Sequence, residues 1–272
     1  MSGIRKLKIP VLMYHAIAPK GSSARELSIG QNVYTVDEGD FSRQMGLLAA
    51  NGFSSVTVDE LSKEYDIHSS TLRSVILTFD DGYVSDYDIV LKRLSEWGFS
   101  GNYFVTVDFI GKPGYMTWEH IRELHNAGHN IGSHGITHRY LTDLDDEEVA
   151  RELSRSKSII EDKVGSEVKA LSLPGGRGGR RVLRMARELG YSAVCTSTIG
   201  ASTVEEGFLV LNRLPIRNRT SLDSFLATVQ FRPRSIIPKR LSSRSRSIVS
   251  GIIGNRRYDV LRERLLSVGQ PR

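Results

Sequence analysis

Two short clusters in this 272-residue chain hold side chains able to do chemistry. Thr78-Phe79-Asp80-Asp81-Gly82 sets two carboxylates side by side. Adjacent negative charges repel, so such a pair calls for a cation or a shared proton, and the glycine lets the backbone turn away. Ser133-His134-Gly135-Ile136-Thr137-His138 sets two imidazoles four apart around a glycine, a spacing that can reach one ion from a tight loop. Taken singly, each cluster is commonplace, a solvated acid pair or ordinary histidines. Combined, Asp81, His134 and His138 offer two nitrogens and a carboxylate oxygen, a set suited to one divalent transition metal, zinc foremost. Three protein ligands leave a position for water, and Asp80 beside them is placed to take its proton as general base.

Such residues need a scaffold that brings distant segments together, and the surrounding sequence alternates strand and helix signals. Ser74–Phe79 reads as a buried strand ending at the carboxylates, followed by a helix from Asp86 to Trp97 with Ile89, Val90, Leu94 and Trp97 on one face. Asn102–Val107 is the next strand. Thr117 caps a helix over Trp118–Ala127, and a strand at Asn130–Ser133 leads into His134. Asp145 and Glu148 make a capping-box start for a helix to about Val164, with Val149, Leu153 and Ile160 as its inner stripe. A strand over Val168–Leu173 enters Pro174-Gly175-Gly176, which locally is only a turn signal. A basic helix at Arg180–Leu189 and strands at Tyr191–Cys195 and Leu209–Ile216 complete the alternation. Each chemical cluster follows a strand, where parallel α/β folds open onto loops.

Thr78–Gly82 and Ser133–His138, with their spacing and the Ala127–Ser133 lead-in, resemble the first two motifs of the polysaccharide deacetylases. This is the NodB-homology group, carbohydrate esterase family 4, and the resemblance covers roughly Ile9 to Ile216. It implies an irregular (β/α) barrel in the α/β class, with Asp80 as catalytic base and Asp81, His134 and His138 holding the metal. Leu171–Gly176 is similar to the third motif, which implies that the Gly175 backbone N–H helps to stabilise an oxyanion. Tyr83, Pro174 and Arg213 complete the expected substrate face. The third motif of many members carries an arginine that orients the base. Here that place holds Ser172, which leaves Arg177 and Arg213 as candidates. No histidine follows His138 to serve as general acid, and the aromatic-aspartate fourth motif is not recognisable. Pro10–His15 resembles instead the opening strand of a subgroup active in surface-polysaccharide biosynthesis, whose acid is an N-terminal histidine. That resemblance assigns the role to His15. His68, His120, His125 and His129 have no comparable context and read as structural.

The resulting expectation is hydrolysis of the N-acetyl group of a GlcNAc-like residue in a saccharide or saccharide precursor. The alternatives are hydrolysis of another C–N bond in a small molecule, and non-catalytic carbohydrate binding. The second leaves a base beside a metal ligand without a purpose. Cys195 is the single cysteine, which excludes an internal disulfide and a cysteine-based zinc cage. Pro10, Tyr14 and His15 interrupt any leader-like apolar run, so the expected location is cytoplasmic. Residues 1–230 read as the catalytic domain and 231–272 as a basic extension. From Arg232 onward eleven Lys/Arg face two acids, an excess larger than the whole chain's +6. Ser242–Ser247 reads as a flexible linker before an amphipathic helix over Arg256–Leu266, suited to an anionic membrane surface or to docking on its own domain. No aromatics interleave the basic residues, so no nucleic acid is expected.

Overall fold

The computed structural model describes residues 4–20, 33–63, 73–218, 220–255, 257–258 and 260–261. Its strands begin with β1 Arg5–Leu7, β2 Val11–Tyr14, β3 Ile17–Ala18, β4 Val36–Asp37, β5 Ser54–Ser55 and β6 Ser74–Asp81. They continue with β7 Asn102–Val105, β8 Asn130–Ser133, β9 Ala170–Ser172, β10 Ala193–Thr196, β11 Ser202–Glu205, β12 Phe208–Asn212 and β13 Leu214–Pro215. The helices are α1 Glu38–Ala50, α2 Val58–Lys63, α3 Leu91–Ser95, α4 Trp118–Asn126, α5 Asp146–Val164, α6 Arg180–Glu188, α7 Leu222–Val229 and α8 Pro233–Ile253.

Strand order in the main sheet is β1-β11-β12-β10-β9-β8-β7-β6-β2-β13, with β5 alongside the start of β6. Every pairing from β12 to β13 along this path is parallel, while β1 and β11 pair antiparallel. The two ends of that parallel run, β12 and β13, are separated in sequence by Arg213 alone. The sheet therefore curls until its edges meet at one residue, which is the irregular barrel expected. All eight residues of β6 are buried, as a central parallel strand requires. Val11, Ile76, Phe104, Ala170, Ala193, Cys195, Leu209 and Leu211 fill the barrel. Tyr14, Phe79, Tyr103, Leu124, Val149, Leu153 and Ile160 belong to the larger core between sheet and helices.

Most elements stand where the periodicity puts them, and the Asp145 capping box closes as predicted. Three readings change. The strand expected over Leu209–Ile216 is broken at Arg213, whose side chain turns into the barrel. The helix expected from Asp86 opens as a π-turn over Asp86–Val90 before α3, and Trp97 is 45% exposed rather than inward. Ser242–Ser247 is not a linker but the middle of α8. Arginine is a good helix former, and Pro233 at the helix start suits the first turn, so a Ser/Arg run continues the helix. The helix expected over Arg256–Leu266 falls mostly outside the described residues, among which Tyr258 is buried.

Candidate active site

Asp80 and Asp81 end β6, and alternation along the strand sends their side chains in different directions. Asp80 lies inside. Arg213 Nη1 and Nη2 each donate to one of its carboxylate oxygens at 2.8 Å, and Ser172 Oγ donates to Oδ2 at 3.2 Å. Arg213 is itself fully buried and also donates to the Thr196 carbonyl and Thr78 Oγ1. Burial alone would raise the Asp80 pKa. Arg213 and then His134 outweigh it and hold the carboxyl below its usual range. Of the two arginines left open by the sequence, Arg213 is the one that grips the Asp80 carboxylate. Its placement at the substrate face is corrected, because a 0% exposed guanidinium clamped to Asp80 touches no substrate.

Asp81 faces the loops. Its Oδ1 lies 3.4 Å from His134 Nε2 and 3.2 Å from His138 Nε2, yet it accepts no aligned hydrogen bond. His134 Nδ1 stands 2.7 Å from the Ser172 carbonyl, which can only accept, so Nδ1 carries the proton. In a neutral ring Nε2 then turns a bare lone pair toward a carboxylate oxygen, an arrangement that needs positive charge between them. One ligand atom from each of the three residues lies within 4.8 Å of the others. Metal–ligand bonds of about 2.0–2.1 Å in a tetrahedron set ligand atoms about 3.3–3.4 Å apart, so this donor set fits a zinc-like ion. Burial acts to lower the His134 pKa, but Asp80 and Asp81 reverse it and the imidazole stands above its ordinary value. Burial raises Asp81, and its contacts with His134 and His138 bring it well below the carboxylate range.

Both Asp81 (φ 78°) and His138 (φ 62°) hold the left-handed backbone conformation, which costs non-glycine residues about 1–3 kcal/mol each. The loop between the histidines is held by Glu152 of α5. Its Oε2 accepts from the backbone N–H of Ile136 at 2.7 Å and of Thr137 at 3.1 Å. Gly135 has φ 82°, and a Cβ there would lie 3.1 Å from Glu152 Oε2.

His15 follows β2, whose Tyr14 pairs with Phe79, so it stands one step past that pair just as Asp80 does. Its Nδ1 is buried with no partner, and its ring lies 4.9 Å from that of Tyr34. Burial lowers its pKa against the opposing pull of Asp81 and Asp80. Tyr83 stacks on Tyr115 at 5.1 Å and is half-buried at the rim, whereas Pro174 is buried beneath the wall and not at the substrate face where it was expected. Gly175 is exposed with φ 63°, and a Cβ on it would meet the Tyr140 ring at 2.2 Å, so only glycine fits under that ring. Arg177 stacks between Tyr140 and Tyr258 and donates to Asn255 Oδ1. His120 and His129 are structural, in the Thr117 cap and on the Gly101 N–H.

Sequence reasoning missed Glu152, Ser172 as a ligand to the base, and Asp86, whose buried carboxyl is pushed well above the usual range by burial and then by Asp81 and Asp80. Nothing in the local pattern marks Glu152, since it sits in an ordinary amphipathic helix.

Residues 68–194 match the family model described as polysaccharide deacetylase. The chain is 28% identical to the Bacillus subtilis (strain 168) protein YxkH, which carries a polysaccharide deacetylase name, over 82% of this chain and 76% of that one. It is also 28% identical to the peptidoglycan-N-acetylmuramic acid deacetylase PdaA of the same organism, over 50% of this chain and 52% of that one. It spans only about half the length of that second relative. Among solved structures, the Streptococcus pyogenes deacetylase PplD in complex with acetate shares the fold with a TM-score of 0.74. That match has 24% identity and covers 84% of this chain and 99% of that one.

Proposed function

This chain is a member of the NodB-homology polysaccharide deacetylase family, and from that premise we propose that it removes the N-acetyl group from an N-acetylhexosamine in a metal-dependent hydrolysis. One observation carries the reading. A trio of donor atoms from β6 and the loop after β8 converges around one point, and the adjoining carboxylate is kept ionised by a buried arginine. Asp81, His134 and His138 would hold a divalent ion, zinc by the chemistry of the set, and when bound it would supply Lewis acidity to the site. Asp80 accepts the water's proton, with Arg213 and Ser172 fixing its orientation. The Gly175 N–H donates to the developing oxyanion. The C–N bond breaks to give acetate and the free amine, and His15 protonates the departing nitrogen. Burial lowers the His15 pKa, and the proton that it passes to the amine is replaced by the one Asp80 has taken from the water, so the protons balance over the cycle.

The substrate class draws support from relatives whose names specify N-acetylmuramic acid and N-acetylglucosamine of peptidoglycan. We place the substrate among saccharides or precursors of surface-polysaccharide biosynthesis. The proposed workplace is the cytoplasmic side of a membrane, with the extension in peripheral contact. Ile237 and Leu241 are exposed one turn apart on α8 beside exposed Arg234 and Arg240, a surface suited to anionic lipid. No helix among the described residues is long and apolar enough to cross a bilayer.

The test incubates zinc-loaded protein with N-acetylated oligosaccharides and measures released acetate. Turnover should vanish in Asp80→Asn and with chelator, and fall by about 10²–10⁴ in His15→Ala. Undiminished acetate release by Asp80→Asn would end the proposal.

A further inference from the structure

Arg217 follows β13. That strand pairs with β2 through Leu214 with Leu12 and Pro215 with Met13, so Arg217 emerges across from His15 at the same end of the barrel. Neighbouring strands run about 4.8 Å apart. The Arg217 guanidinium lies over the Tyr34 ring at 5.7 Å, and that ring in turn lies 4.9 Å from His15. Arg217 Nε is buried and has no partner, and no acidic side chain among the described residues forms an ion pair with Arg217. The contacts of its backbone are local, to Thr220. Lys239 of α8 is half-buried and donates to Thr228 Oγ1. Burial lowers the Lys239 pKa, and the like charge of Arg217 lowers it further, so the two cations share one neighbourhood. Two cations packed together at the mouth of a site, with a buried N–H donor unused, are stabilised by an incoming anion.

We infer that Arg217, backed by Lys239, forms an anion subsite for a phosphate or carboxylate that the N-acetylhexosamine carries close to its acetamide. The inference rests on the deacetylase reading and deepens it by naming the substrate as acidic. A phosphate on the anomeric carbon, or a carboxylate on an ether at the carbon on the other side of the acetamide, places the charge next to the nitrogen that His15 serves. The planar guanidinium suits either group through paired hydrogen bonds, and Tyr34 holds its stem in place.

The experiment compares wild type with Arg217→Met and Lys239→Met, both zinc-loaded. Substrates are N-acetylglucosamine 1-phosphate, N-acetylmuramic acid and neutral N-acetylglucosamine oligomers. Wild type should favour one acidic substrate over the neutral one in kcat/KM, and which acid is favoured identifies the source of the charge. Arg217→Met should cut that preference at least roughly tenfold, a hydrogen bond to a charged group being worth that much. Lys239→Met should reduce it less. Inorganic phosphate titrated against the melting temperature gives a readout independent of turnover, with a rise in wild type that shrinks in Arg217→Met. A neutral preference in wild type, or an equal phosphate response in both proteins, would overturn the subsite while leaving the deacetylase reading intact. Absence of acetate release from all substrates would instead strike that reading, and the phosphate titration would still decide the subsite.

Discussion

Asp80 and Asp81 are consecutive in sequence, yet the barrel interior around one and the loops around the other treat negative charge in opposite ways. Inside, the charge of Asp80 is balanced by the protein itself, through a two-pronged arginine and a serine. Outside, Asp81 faces the ring nitrogens of His134 and His138, a donor set that could hold a metal ion. A closed charge pair can be a base, and an open one can be a ligand. The same dipeptide suits both proposed roles because the strand ends between two different environments.

The sharpest way to break this contrast is to open the closed side. Arg213→Met should leave Asp80 buried and unpaired, destabilising the fold by about 3–5 kcal/mol in denaturant titrations. Activity should be lost with it, and Arg213→Met with Asp80→Asn should recover much of the stability but none of the activity. The pH dependence has a definite sign. A carboxyl held below its ordinary value contributes stability that is complete above the unfolded pKa of about 3.9 and lost as pH falls through the folded one. The stability gap between wild type and Arg213→Met should therefore narrow as pH falls below about 3.9, because protonating Asp80 relieves its unpaired burial in the variant and removes its ion pair in wild type.

Closing the open side is the complementary test. Saturating zinc, at about a hundredfold its dissociation constant, should stabilise wild type by about 2.7 kcal/mol. His134→Ala and Asp81→Asn should lose most of that gain in melting experiments. Glu152→Gln acts one step further out, slackening the loop between the histidines. It should weaken zinc binding about 10–100-fold by competition with a chromogenic chelator. Ser172→Ala should cost about 0.5–1.5 kcal/mol, since Arg213 still pairs with the base. The smallest effect is expected at Cys195. Its thiol, buried in the barrel and pushed up to about 12, should remain unlabelled by thiol reagents at pH 8 until the protein unfolds.

The contrast also explains what could be read from the sequence. Open-side ligands had to be close in sequence to strand ends and to each other, so Asp81, His134 and His138 announced themselves by type and spacing. The closed side is tertiary. Arg213 reaches Asp80 across 133 residues, and no local pattern separates it from Arg177, which stacks between two tyrosines instead. Glu152 was hidden for the same reason, one acid among several on α5. The strand–helix alternation was legible because periodicity reports burial. The break at Arg213 was not, because an arginine after apolar residues looks like a strand ending at solvent. Composition misled at Ser242–Ser247, where a Ser/Arg run resembles a linker yet extends a helix already begun.

The seam at Arg213 also bears on how the protein emerges from the ribosome. A nascent chain extended past His138 but short of β12 already carries every residue of the candidate ion trio. Asp80 is meanwhile without the Arg213 guanidinium that pairs with it in the folded barrel. The residue that joins the two ends of the barrel is thus also the partner of Asp80, so the donor trio is complete in the chain before the Asp80 ion pair is.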